Sequence, residues 1–336
     1  MKKINVVFFQ RKQRNLGNFS VEIYFKQVID NLPPDINPIL IEMPYISNGL
    51  FKRLYNILFC IFKQGDVNHV TGDIQYITIF LKKSKTILTI LDCGSLLDFK
   101  GFKKYVFKKL WFDIPIKKSR YITAISLATQ ADIIKNTTCD PQKIKIIYFL
   151  SNSKFKKSEK IFNNEMPILL QIGTAPNKNI LRLIDAIVDI KCKLVIVGKI
   201  SSDISNSLKI NSIKYDLYDF RLSDDEIEKL YVDADVITFV STLEGFGMPI
   251  IEGNLVGRIV VTSNVTSMPE VAGESAILVD PFSIDSIKIG IKSAINDSVL
   301  RNKCIKLGYE NAKRFKPTEI SSDYAKLYRE ITKLGI

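Results

Sequence analysis

A chain of 336 residues exceeds one comfortable hydrophobic core, so two domains of ordinary size are expected. Apolar residues at 46% and charged residues at 25% describe a folded globular protein, and five scattered cysteines (Cys60, Cys93, Cys139, Cys192 and Cys304) give neither a disulfide framework nor a metal-ligand spacing, which fits a reducing cytoplasmic compartment. The net charge of +13 sits in the first half, with 27 basic against 13 acidic side chains over residues 1–165 and 21 against 22 over residues 166–336; no zinc-finger, helix-turn-helix or RNA-binding signature accompanies it, so nucleic acid is not the expected partner.

The chain opens with Met1-Lys2-Lys3-Ile4-Asn5-Val6-Val7-Phe8-Phe9-Gln10, whose apolar run is too short for a signal peptide and reads as a first buried strand. Strand-like runs near 4–9, 38–42, 66–70, 86–91, 121–125 and 144–148 then alternate with helical patterns near 19–31, 50–63, 100–117 and 127–137. That alternation is the mark of a parallel α/β domain, here residues 1–150. A glycine turn at Gly17-Asn18 follows the first strand, where ligand contact and a mere connector are nearly equal readings; the only histidine, His69, ends the third strand, where it could reach a ligand but a structural histidine is the plainer reading. Over residues 99–121, eight basic side chains surround Phe99, Phe102, Tyr105, Phe107, Leu110, Trp111 and Phe112. This segment is either a helix lying on an anionic membrane surface or a core helix with a solvated lysine face. No stretch approaches the roughly 20 apolar residues of a spanning helix.

Residues 151–165 are polar and read as a linker. The pattern restarts with strands near 167–173, 194–198, 235–240, 258–262 and 276–279 and helices near 179–190, 224–232, 249–256, 285–296 and 298–313, giving a second domain over 166–316. Ser223 and Glu226 form a capping box at one helix start. After Pro317 a last amphipathic helix over 318–333 carries Ile320, Tyr324, Leu327, Tyr328 and Ile331 on one face.

The densest chemistry lies in Ser241-Thr242-Leu243-Glu244-Gly245-Phe246-Gly247-Met248-Pro249-Ile250-Ile251-Glu252. Pro249 suits a first helical turn, so Glu244 precedes a helix and Glu252 lies on it, eight positions later. Gly245 and Gly247 allow a sharp bend and a close backbone approach. A helix terminus with outward N–H groups suits a diphosphate, and flanking carboxylates suit a diol; together they describe a nucleotide sugar.

This string, continued by Ser267-Met268-Pro269-Glu270-Val271-Ala272-Gly273 and Ala276-Ile277-Leu278-Val279-Asp280-Pro281, resembles the signature of retaining glycosyltransferase family 4. The resemblance implies the GT-B fold: two facing Rossmann-like domains, an acceptor-binding one (1–150) and a nucleotide-sugar-binding one (166–316), with a cleft between them and the terminal helix returning to the first. It further implies a UDP- or GDP-linked sugar as substrate, no cofactor and no metal. The expected donor-binding residues are Gly173, Thr174, Lys178, Gly198, Leu222, Glu244, Gly245, Phe246, Gly247, Met248 and Glu252, with Glu244, Lys178 and Asp92 catalytic and Gly17, Asn18 and His69 near acceptor or cleft. Acceptors are expected to be glycans or lipid-linked glycans of cell-surface polysaccharide, handled in the cytoplasm or on the inner membrane face. Asp233-Ala234-Asp235 imitates a metal-binding D-x-D at a helix-to-strand junction, where that reading is rejected.

Two positions depart from the family pattern. Thr174 stands where many members have arginine, and Leu91, in Thr89-Ile90-Leu91-Asp92, stands where they have a histidine near the donor sugar. A non-catalytic descendant of such an enzyme is therefore the alternative of a different class. A nicotinamide dehydrogenase is disfavoured because no G-x-G-x-x-G follows the first strand.

Overall fold

The computed structural model describes residues 3–12, 20–96, 99–151, 154–220 and 222–333. These divide into two compact units, residues 1–150 with 317–336 and residues 151–316.

The first unit is built on β1 (Ile4–Gln10), β2 (Ile36–Glu42), β3 (Val67–Val70), β4 (Thr86–Ile90), β5 (Tyr121–Ala124) and β6 (Ile144–Ile146), all parallel in the order β2-β1-β3-β4-β5-β6. Strands buried on both faces carry apolar runs, unbroken from Val6 to Phe9 and interrupted only by Thr89 from Ile87 to Ile90, because helices cover both sides of a parallel sheet. The covering helices are α1 (Ser20–Asp30), α2 (Leu50–Ile61), α3 (Gly101–Lys108), α4 (Ile114–Lys117) and α5 (Leu127–Asn136). Between α3 and α4 the chain makes a π turn over Lys109–Asp113, immediately before Pro115, which has no N–H to return to the preceding turn.

The second unit holds β7 (Ile168–Ile172), β8 (Lys193–Val197), β9 (Tyr215–Tyr218), β10 (Val236–Phe239), β11 (Ile259–Ser263) and β12 (Ala276–Val279), parallel in the order β12-β11-β10-β7-β8-β9. Around it lie α6 (Ile180–Ile187), α7 (Ser202–Ile210), α8 (Asp224–Asp233), α9 (Met248–Val256), α10 (Met268–Ala272), α11 (Ile284–Asn296) and α12 (Ser298–Ala312). Neither α7, β9 nor α10 is among the elements expected from the sequence. The order reverses between β7 and β10, and the carboxyl ends of strands flanking such a reversal form a crevice.

The expected linker is not free. Phe155 is buried edge-on against Tyr231, and the backbone N–H groups of Asn163 and Ile168 donate to Asp235, which is buried and also paired with Lys160 at 2.9 Å. A carboxylate this deep must be satisfied, and the polar segment supplies its partners. The residues that read as a linker are thus part of the second unit, and Asp235 is structurally committed.

The last helix, α13 (Pro317–Lys333), belongs to the first unit. Ile320, Tyr324, Leu327, Tyr328 and Ile331 are buried in a core with Phe8, Tyr24 and Phe25. Ser321 donates to the Val28 carbonyl, and Arg329 forms a two-pronged pair with Asp35, both bonds at 2.8 Å.

Candidate active site

At the reversal point of the second sheet, β7 runs into Gly173, whose φ of +85° favours glycine. A Cβ at Gly173 would lie 3.1 Å from Lys178 Cε, so the missing side chain is the space across which Lys178 lies. The Lys178 ammonium reaches Glu244 Oε1 at 2.7 Å and sits 4.9 Å above the Phe239 ring. Asn177 reinforces the pair, its Nδ2 donating to the Leu243 carbonyl at 2.9 Å and to Glu244 Oε1 at 3.3 Å. Asn179, at φ +60°, donates to the carbonyls of Val240 and Pro281, which fixes the start of α6.

Glu244 enters the turn that starts α9. Gly247 takes φ +123° there, and a Cβ would press on Ile250 at 3.1 Å and Phe239 at 3.3 Å. Ser267 Oγ lies within hydrogen-bond distance of the carbonyl oxygens of Glu244 (3.0 Å) and Phe246 (2.6 Å), which clamps the turn from below. One turn into α9, Glu252 Oε2 accepts from Tyr231 at 2.5 Å. Glu252 retains partial exposure, yet burial of its carboxyl group pushes the pKa up to about 7 against the lowering effect of Tyr231. Burial also drives the Tyr231 phenol well above its ordinary range, so it stays the donor. One ammonium, one helix amino terminus and two carboxylates in different settings thus meet at the ends of β7 and β10. Such a set can hold an anion and orient hydroxyl groups.

The other expected donor residues divide. Gly198, at φ +128°, packs against Thr174, whose hydroxyl donates to the Lys199 carbonyl at 2.6 Å. Thr174 therefore ties two loops together, and its side-chain proton is unavailable to a donor. Phe246 is buried edge-on against Phe315 (5.5 Å), so its ring belongs to the core and only its backbone can serve the turn. Gly245 and Met248 are partly exposed, as is Leu222, which precedes the capping box that Ser223 and Glu226 do form. Asn177, Tyr231 and Ser267 went unassigned in the sequence, although Ser267 stands in the quoted S-M-P string.

In the first unit, Gly17 and Asn18 lie outside the described residues. His69 does not face a ligand: its ring is fully buried beside Phe8, Phe25, Tyr324 and Tyr328. Its Nδ1 meets Tyr328 Oη and its Nε2 meets Thr89 Oγ1, each at 2.8 Å, and burial lowers its pKa to about 3. It is a neutral core histidine that fastens α13 to the sheet. Asp92 is exposed, its Oδ1 accepting from Gly94 N, and it lines a pocket of about 460 Å³ with Leu91, Asp73, Gln75 and Trp111. Leu91 also packs over Gly72, where a Cβ would stand 3.4 Å from its Cδ1. Where β1 and β3 end, Arg11 joins Glu22 and Asp73 in an ion network that the sequence did not signal.

Residues 152–311 match the family Glycosyl transferases group 1. O-antigen chain mannosyltransferase B of Escherichia coli is 38% identical over 92 residues, 27% of this chain and 24% of that protein, so the match spans about a quarter of that relative's length. O-antigen chain mannosyltransferase RfbU of Salmonella typhimurium is 26% identical over 251 residues, 70% of this chain and 69% of that protein. The solved structure of Anabaena Alr3699/HepE in complex with UDP and glucose superposes on 97% of this chain and 100% of its own, with a TM-score of 0.77 at 14% identity, a likeness of fold.

Proposed function

We propose, from the premise that residues 152–311 are a group 1 glycosyl transferase domain in a chain of GT-B fold, that this protein moves a sugar from a nucleoside-diphosphate sugar to an acceptor hydroxyl with retention at the anomeric carbon. The observation that carries the reading is the meeting of Lys178, the α9 amino terminus, Glu244 and Glu252 at the ends of β7 and β10. The donor diphosphate takes the Lys178 ammonium and the first-turn N–H groups. Glu244, released from that ion pair, turns to the donor-sugar hydroxyls, and Glu252 accepts from the ribose diol.

As the bond from the anomeric carbon to phosphate oxygen breaks, negative charge grows on the leaving diphosphate, where Lys178 and the helix terminus stabilise it. The acceptor oxygen bonds to the same face, and its proton passes to the departing phosphate oxygen. The products are the glycoside and the nucleoside diphosphate. We assign the charge stabilisation to these protein groups, with no metal or cofactor required. In the first unit we assign a part in the reaction to Asp92, which is exposed at its pocket.

Both relatives are mannosyltransferases of O-antigen chains, which supports mannose as the transferred sugar and a polysaccharide chain as the product; we place that synthesis in the cytoplasm as part of the same proposal. The test is thermal stabilisation of the full chain by a panel of nucleotide sugars, followed by transfer of label from the best binder to a glycan acceptor. A mannosyl donor that stabilises the chain and gives labelled glycan is the expected result. Stabilisation by no member of the panel would overturn the reading, and stabilisation without transfer would favour the non-catalytic one.

A further inference from the structure

Helix α2 is apolar on the face it turns to solvent. Its inner face is accounted for by Asn56, Ile57 and Cys60, with Asn56 donating to the Tyr45 carbonyl at 2.8 Å. The outer face presents Leu50, Phe51, Leu54, Tyr55 and Leu58 at helical spacing, with Phe62 just past the last turn; Phe51 is 86% and Phe62 87% exposed. A soluble helix is expected to place polar side chains there.

The face continues onto α3. Arg53 on α2 lies 4.7 Å from the Trp111 ring, Trp111 stacks on Phe107, and a pocket of about 430 Å³ between the helices is lined by Arg53, Phe102, Lys103, Val106 and Phe107. Phe102 beyond it is 79% exposed. The two segments, residues 50–63 and 99–112, hold eight basic residues and no acidic one.

We propose that this joint face of α2 and α3 docks on an anionic lipid bilayer, with α2 as the element that enters the acyl boundary. Three observations select that occupant. Lysines stand among the large apolar side chains, whereas the core of a protein–protein interface is depleted in lysine. A second copy would bring the same basic patch against itself, and like charges would oppose it. Lysine and arginine suit a membrane boundary because their stems lie along apolar surface while their heads reach the phosphates. Among the described residues no helix is long and apolar enough to span a bilayer, so the contact is one of lying on the surface. The sequence pointed only to residues 99–121; there Phe112 and Ile116 are core, while Phe102 and Tyr105 are exposed. The docking face thus includes an element that the sequence reading passed over.

The experiment is co-sedimentation of the full chain with vesicles of phosphatidylcholine, alone or mixed with phosphatidylglycerol. Quenching by brominated acyl chains is read from Trp111, the single tryptophan, which lies behind the face. The expected result is binding to the mixed vesicles only, weakened by salt. Phe51→Ser with Phe62→Ser, and separately Lys103→Gln with Lys104→Gln, each reduce it about tenfold. Both pairs are on the surface, and an unchanged melting temperature verifies folding. Glycosyl transfer is not part of the readout, so this proposal can fail while the catalytic one stands. No binding, equal binding to both vesicle types, or a concentration-dependent dimer abolished by Phe51→Ser would each overturn it.

Discussion

The two units begin their sheets in similar ways and diverge where the strand order reverses. In the second, between β7 and β10, glycines at positive φ open the backbone, and Lys178 pairs with Glu244 over the gap. In the first, between β1 and β3, Arg11 is bound to Glu22 and Asp73, and the nearby His69 is sealed in the core. Parallel topology offers a crevice in both places. The second presents an ammonium beside a helix amino terminus, a pairing suited to an anion; the first presents an ion network, a carboxylate at Asp92 and aromatic walls. Topology therefore states where a ligand can sit, and the side chains at the strand ends state which ligand.

The sharpest way to break this contrast is Glu244→Ala, expected to lower turnover about a hundredfold or more, as loss of a group oriented on the reacting sugar does. Donor affinity should fall far less. Steady-state kinetics with a calorimetric donor titration separates the two, and unchanged turnover would move Glu244 out of the site.

In the first unit, His69→Ala should act on stability. It empties a ring-sized space and leaves Tyr328 and Thr89 short of a partner, a loss of about 3 kcal/mol read from the denaturant midpoint. Donor affinity in the second unit should not move. A stable variant with lost activity would return His69 to the substrate.

Glu252 gives a pH signature. Its folded pKa of about 7 lies above the ordinary 4.5, so between those values the folded chain keeps a proton that the unfolded chain has released. Stability from this group therefore falls as pH rises from 4.5 to 7 and is level above, a change on the order of 2 kcal/mol after allowance for its residual exposure. Glu252→Gln should flatten that slope and weaken donor binding, because an amide replaces the ribose acceptor. Denaturation at pH 5 and pH 8 with both chains reads the first effect, and an undiminished slope would reassign it.

The smallest expected effect is at Leu91. A histidine there adds one neutral hydrogen bond, worth about 0.5–1.5 kcal/mol, at most roughly tenfold in rate. Leu91→His should alter turnover within that range. A native chain that is inactive until Leu91→His restores it would make this protein a non-catalytic descendant.

The chain displays its second unit more openly than its first. Pro249 and two glycines fix a turn by backbone sterics, and the face of α13 repeats at helical period, so both are legible in one dimension. Helix α7 buries only Ile204 and Leu208, too few to mark a period, and β9 is a partly exposed edge strand. The segment over 151–165 reads as linker because its partner is Asp235, some seventy positions on. His69 stands in Val67-Asn68-His69-Val70, buried on both faces, where alternation carries no signal for which side meets a ligand. Likewise the hydroxyl of Thr174 finds its partner 25 residues away.

The central claim, that a donor diphosphate is held by Lys178 at the amino terminus of α9, is tested most directly by calorimetry of Lys178→Ala with the nucleoside diphosphate that binds the native chain and with its nucleoside. A point charge acts on phosphate and not on the base, so affinity for the diphosphate should drop about tenfold to a hundredfold while that for the nucleoside holds. An equal loss for both ligands, or no loss for either, would contradict the claim.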